Sequence, residues 1–273
     1  MLGKLIKYEF KATARRMLPL IVAVLVLSLL SSFSVMRLDS ATDYGIIQVL
    51  FILIIVAFVI GIIALCVMSI VVFIDRFYKN LLGAEGYLMF TLPVSVDALV
   101  WAKLIVSFIW FVLTALAIIA AMLILGLVTS AVTITGEDWA SFTKMLSEGF
   151  RYVGVGNIIG YVVEFIVLIF VSSLATCLHF YLAMAIGQAF ANHKMLYSVV
   201  FFFVLSFALS MLSYAAAAAA NSLGIFDALF DLPRTAFEAV HLGFILSIIC
   251  SAVVDVIFYF PTTALLKKKL NLA

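Results

Sequence analysis

Two carboxylates stand alone inside apolar sequence, Glu164 in the run 152–186 and Asp255 in the run 241–266. Ionisable groups inside hydrocarbon are costly, and each is a functional candidate by default. No Lys or Arg lies deep in either run to pair with them. Three states stay open: protonated, hydrogen-bonded to Ser, Asn or Tyr neighbours, or facing a wet cavity. If both face a cavity, the chemistry is that of a proton-coupled carrier; the alternative is a structural or assembly role. The matched pair of Gly- or Pro-interrupted helices found in many secondary carriers is not seen in the two halves of the chain. His179, His193 and His241 lie far apart in different settings, so the sequence alone builds no zinc-ligand spacing, nucleophile elbow or acid–base pair from them. Cys66, Cys177 and Cys250 sit in apolar runs and read as small hydrophobes. There is no G-x-x-x-x-G-K-[ST] phosphate cradle, and the segments between apolar runs are too short for a nucleotide-binding domain. The chain by itself is therefore not expected to be an enzyme, nor to carry a cofactor or metal.

What positions these groups must be a membrane domain. Of 273 residues, 67% are hydrophobic and 11% charged, and the mean hydropathy is +1.33. A soluble domain is about 45–50% apolar and about 25% charged, so this surplus needs lipid as its solvent. A net charge of +2 gives no nucleic-acid footprint, and no nucleic-acid partner is expected. Crossing ~30 Å of hydrocarbon takes a helix of ~20 apolar residues. The stretches 18–36, 46–74, 98–128, 152–186, 195–220 and 241–266 meet that test. They are continuous rather than alternating in the manner of barrel strands, so the fold class is all-α, a six-span polytopic domain over 18–273. The fourth run is too long for one perpendicular span, and Gly154, Gly156 and Gly160 permit a tilt, kink or extension there. Met36-Arg37-Leu38 lacks the small-x-small pattern of a cleavage site, so the first span is expected to stay uncleaved.

Charge sets the expected topology. Twelve Lys and Arg fall in the N-terminal segment, residues 75–103, residues 187–194 and the tail. The opposite segments carry four, Arg37, Lys144, Arg151 and Arg234, together with eight acids. The positive-inside rule places both termini in the cytoplasm.

Residues 1–17 put Leu2, Leu5, Ile6, Phe10 and Met17 near one helical face and Lys4, Lys7, Lys11 and Arg15 mostly on the other. This pattern predicts an amphipathic helix in the headgroup plane, with membrane lipid as its partner, serving as a topogenic anchor or a mechanical element. The segments 129–151 and 221–240 carry Trp139, Phe142, Phe226 and Phe230 and suit short helices at the outer interface. Gly156 and Gly160 form a G-x-x-x-G step and Ala215 to Ala220 a small-residue run, both suited to close helix packing.

The most informative connection joins spans two and three, over residues 75–97. Phe77, Tyr78, Leu81 and Leu82 predict a short helix with an aromatic-aliphatic face, ended by Gly83 and Gly86. Ser95 or Asp97 is placed to cap the third span. Two uses of the apolar face are open: docking into a partner's groove, or packing under the bundle.

The loop Arg76-Phe-Tyr-Lys-Asn-Leu-Leu-Gly-Ala-Glu-Gly-Tyr-Leu-Met-Phe-Thr-Leu-Pro-Val-Ser95, with the basic amphipathic N-terminus and six spans, resembles the type-2 ATP-binding-cassette (ABC) exporter permeases, particularly those of Gram-positive bacteria. The layout covers the whole chain, and the specific part is this loop. The resemblance implies the membrane subunit of an ATP-driven exporter in a bacterial plasma membrane. It implies two permease chains, identical or related, and two cytosolic ATPase subunits that hold ATP and magnesium. In that family this loop is a coupling helix seated in the ATPase. Arg76, Phe77, Tyr78, Lys79, Asn80, Leu81, Leu82 and Glu85 are then the docking candidates, and Tyr87 to Pro93 the return into span three. Gly224 to Pro233 corresponds to the segment that often re-enters the membrane and closes the exit. The implied substrate is amphipathic or hydrophobic: lipid-like, a peptide or a drug. The competing classes are the proton-coupled carrier using Glu164 and Asp255, and a membrane scaffold without transport.

Overall fold

In the computed structural model, helix α1 (Leu2–Asp39) runs without interruption through the boundary expected at residue 17. Residues 2–39, 45–83, 86, 89, 91, 93–130, 136–190, 192–232 and 235–268 are described. At about 1.5 Å per residue, the 38 residues of α1 extend about 57 Å, nearly twice the ~30 Å of hydrocarbon. The N-terminal residues therefore continue the axis of the span instead of turning to form a separate helix. Pro19 is inside α1, where its missing N–H leaves the Arg15 carbonyl without a helical donor.

Then follow α2 (Ile46–Phe77), continued by a π-helical turn over Tyr78–Leu82, and α3 (Val96–Ser130). Next come α4 (Gly136–Val153), α5 (Val155–Gly187), α6 (Lys194–Ser222), the short α7 (Ile225–Phe230) and α8 (Ala236–Lys268). Among the described residues there is no strand, and six helices are long and apolar enough to cross a membrane: α1, α2, α3, α5, α6 and α8. The protein is an all-α, multi-pass membrane protein. Away from Pro19 in α1 and Pro261 in α8, each long helix satisfies its own backbone, which lipid cannot do for it.

Local signals set the ends. The Ser95 hydroxyl accepts from the Ala98 N–H at 3.2 Å and caps α3, so of the two candidates Ser95 is the cap. Thr235 does the same for α8, accepting from the Glu238 N–H at 3.3 Å. Near the start of the long fourth run Gly154, with a φ of +80°, separates α4 from α5, which then continues for 33 residues through Gly156 and Gly160. Helix α4 buries none of its residues, leaving Trp139, Phe142, Leu146 and Phe150 exposed on one side of an amphipathic helix. That is the character of a helix lying in a membrane interface.

The helices group into two compact units, one of Met1–Asp75 with Ile105–Leu146, the other of Arg76–Leu104 with Ser147–Ala273. The first has a core of Met17, Val24, Phe58, Leu65, Val72, Val106, Trp110, Ala117 and Ala121. Ile6, Phe10 and Ala14, on the apolar side of the N-terminal amphipathic segment, pack against that core. Phe10 stacks on Trp110 with centroids 4.9 Å apart, and the Trp110 Nε1–H donates to Thr13 Oγ1 at 2.6 Å. The apolar face read as lipid-seeking is thus largely spent on protein. Farther along α1, Ser28, Ser31, Ser32 and Ser34 are buried. Ser31 reaches the Ile54 carbonyl of α2 at 3.4 Å and Ser32 the Ile124 carbonyl of α3 at 3.5 Å. Small polar residues of this kind let helix backbones approach closely.

In the second unit α5 packs along α8 and against α6. A Cβ on Gly187, at the end of α5, would lie 2.7 Å from the Ser198 nitrogen and 2.9 Å from the Lys194 carbonyl oxygen of α6. Only glycine permits so tight a return, and His193 completes it in the left-handed region at φ 52°.

Candidate functional site

Two groups of residues have the chemistry to act, one at the end of α2 and one between α5 and α8. The first begins where α2 widens into the π-helical turn. A π turn places residues four and five apart on one side, which brings Phe77, Leu81 and Leu82 onto a common face. That face is buried: Phe77 and Leu81 have 0% exposure, Leu82 4% and Asn80 6%. The Phe77 ring lies on Tyr181 of α5, centroids 3.7 Å apart with 9° between planes. Such rings stack to remove apolar area and for their own mutual attraction. Of the docking candidates, Phe77, Asn80, Leu81 and Leu82 therefore face the chain itself. Arg76 and Tyr78 are half-buried and Lys79 is exposed. A partner approaching this turn would meet these three first. Glu85 and Tyr87 lie outside the described residues. Gly83 ends the turn in an extended conformation, where a Cβ would stand 2.9 Å from the Lys79 carbonyl oxygen.

The far end of this connection is polar. Asp97 Oδ2 accepts from Lys267 Nζ at 2.8 Å, and Asp97 Oδ1 accepts from the Tyr259 hydroxyl at 2.9 Å. Asp97, a cap candidate from sequence, is thus engaged with α8.

The second group centres on Glu164. His241 Nδ1 is 2.9 Å from both carboxylate oxygens, with the two side chains 25% and 20% exposed. The imidazole lies over the Tyr161 ring at 4.3 Å, and the Tyr161 hydroxyl donates to the Phe237 carbonyl at 3.1 Å. Gly160 makes room for it: a Cβ there would stand 2.8 Å from His241 Cε1. Gly156, its G-x-x-x-G companion, faces open space. This acid–base pair was missed in the sequence because its members are 77 residues apart. The available signal was that both stand in the first third of their helices.

Asp255 is not joined to that pair by any hydrogen bond. Its Oδ1 is buried and has no hydrogen-bond partner among the described residues. Nearby on α8, Val254 and Phe258 help line a groove of about 280 Å³ with Thr176, His179, Phe202 and Ser206. His179 Nε2 is 3.0 Å from Ser206 Oγ there and 3.2 Å from the Phe202 carbonyl oxygen. Among the described residues, no three His, Cys, Asp or Glu side chains converge as metal ligands would.

No protein-family model, curated protein or solved structure matches the chain.

Proposed function

We propose that this chain is the membrane subunit of an ATP-driven exporter, in the manner of the type-2 ABC permeases its loop resembles. The observation that carries the reading is the turn at Arg76–Leu82. It is held rigidly from behind by Phe77 on Tyr181, and it turns Lys79 outward with Arg76 and Tyr78 beside it. A docking element that transmits force needs that combination of a fixed back and an accessible polar-aromatic front. In this reading two permease chains, identical or related, share a pathway in a bacterial plasma membrane with their termini in the cytoplasm. Two cytosolic ATPase subunits bind ATP and magnesium and dock below. ATP binding closes the ATPase pair, the turn is carried with it, and the spans pass from inward-open to outward-open. The cargo is amphipathic or apolar, matched to a pathway of apolar helices.

Co-purification from native membranes tests this. An ATPase should accompany the wild-type chain, and Tyr78→Ala with Lys79→Glu should weaken its retention at normal yield of folded permease. Recovery of the chain without any ATPase would refute the proposal.

The Glu164–His241 pair favours a second reading, a proton-coupled carrier, because an acid and a base in hydrogen-bond contact within spanning helices can exchange and hold a proton. Flux driven by a pH gradient in liposomes holding this chain alone would support it over the exporter.

A further inference from the structure

The connection between α2 and α3 is fastened at both ends to two helices that pack along each other, α5 and α8. At its start Phe77 stacks on Tyr181 of α5, both at 0% exposure. Lys103 Nζ, 4% exposed as a residue, donates to the Arg76 carbonyl at 3.3 Å and ties the start of the connection to the early turns of α3. At its far end Asp97 holds Lys267 and Tyr259 of α8, and Trp101 meets the Tyr259 ring at 6.0 Å. One residue before Arg76 the attachment is different: Asp75 accepts from Arg16 of α1 at 2.7 Å. The boundary between the two compact units falls between Asp75 and Arg76, and the π-helical turn begins two residues later. Breaks in regular helical hydrogen bonding of this kind commonly mark places where a helix yields.

A segment fixed at one point can pivot when pushed. A segment fixed at two points twenty residues apart, each on a long helix, passes a push on to those helices. We infer that the Arg76–Leu82 turn and residues 96–104 move as one body with α5 and α8, and that Tyr181, Asp97, Tyr259 and Lys267 are positioning residues that deliver a displacement of the Arg76–Lys79 turn to α8. The inference rests on the exporter reading and adds to it the helices that receive the work.

The test uses the permease with its ATPase, captured from native membranes and placed in lipid nanodiscs. Cys66, Cys177 and Cys250 are replaced, and a single cysteine is placed at Val240, which is 46% exposed near the start of α8 and remote in sequence from Lys267. Its rate of maleimide labelling is compared without nucleotide and with ATP plus vanadate. In the wild-type background the rate should change several-fold. Asp97→Lys should abolish that change while the ATPase still co-purifies, since Asp97 is outside the docking turn, and Asp97→Lys with Lys267→Asp should restore it. If Asp97→Lys lowers the folded yield, Asp97→Asn and Tyr259→Phe take its place, each expected to reduce the change at least twofold. A full wild-type response in these variants, or no response at Val240 in a complex that holds its ATPase, would overturn the inference and leave the exporter reading standing. Absence of the ATPase from the wild-type preparation would overturn both.

Discussion

Truncating Phe77 to Ala distinguishes a ring that holds the connection in place from a ring that greets a partner. Phe77 is fully buried, with one face covered by Tyr181 at 3.7 Å. Emptying such a site costs about 3–5 kcal/mol, of which a stacked pair accounts for ~0.5–1.5 kcal/mol. Phe77 opens the connection expected on the cytoplasmic side, outside the hydrocarbon, so the transfer part and the cavity part of that cost both apply. The expected loss is then about 3–5 kcal/mol, a hundredfold or more in the folding equilibrium at ~1.4 kcal/mol per decade. Thermal unfolding in detergent, followed by loss of the monodisperse gel-filtration peak, should show a midpoint several degrees below wild type. A cycle with Tyr181→Ala should return a coupling of about 1 kcal/mol, because each single change already removes the stack. Tyr78→Ala and Lys79→Glu, on the accessible side of the same turn, should stay within about 0.5 kcal/mol of wild type. If Phe77→Ala melts with wild type yet no longer retains an ATPase, the ring is a docking anchor and the reasoning from its burial fails.

Gly187→Ala should cost about 1–3 kcal/mol by overpacking, read as reduced folded yield, because the added carbon would press on the Ser198 and Lys194 backbone as well as on the Ser198 hydroxyl, and the backbone cannot swing aside. Gly160→Ala should displace His241 and lower the melting temperature, whereas Gly156→Ala, facing open space, should leave it unchanged. Glu164→Gln keeps a hydrogen-bonding group for His241 but replaces one of the two carboxyl oxygens in contact with Nδ1 by an amide nitrogen, so a loss of about 1 kcal/mol is expected. A pH-dependent flux that vanishes in this variant at unchanged stability would favour the carrier. A cysteine at Lys79 should react with a membrane-impermeant reagent only after the cells are opened. Labelling from outside intact cells would reverse the topology on which the exporter reading depends.

Composition was sufficient for the membrane class and for all six spanning helices. A spanning helix closes its own backbone hydrogen bonds within one continuous run, so hydropathy along the chain registers it without knowledge of any neighbour. The fourth run was legible as long and glycine-bearing, but not where it would break: the helix is interrupted at Gly154, where a positive φ is open to glycine, and then runs through Gly156 and Gly160 to Gly187. Rotation and register were not legible in this way. Whether the face of Phe77, Leu81 and Leu82 met a partner or the chain's own interior depended on Tyr181, on a helix more than a hundred residues away. The partner of Glu164 was a histidine 77 residues distant, and that of Asp97 a lysine 170 residues distant. The N-terminal amphipathic pattern was real, but lipid and protein offer an apolar stripe the same welcome, so the pattern could not choose between them. Trp110, stacked on Phe10 and hydrogen-bonded to Thr13, made that choice, and it could do so only once α1 and α3 lay side by side.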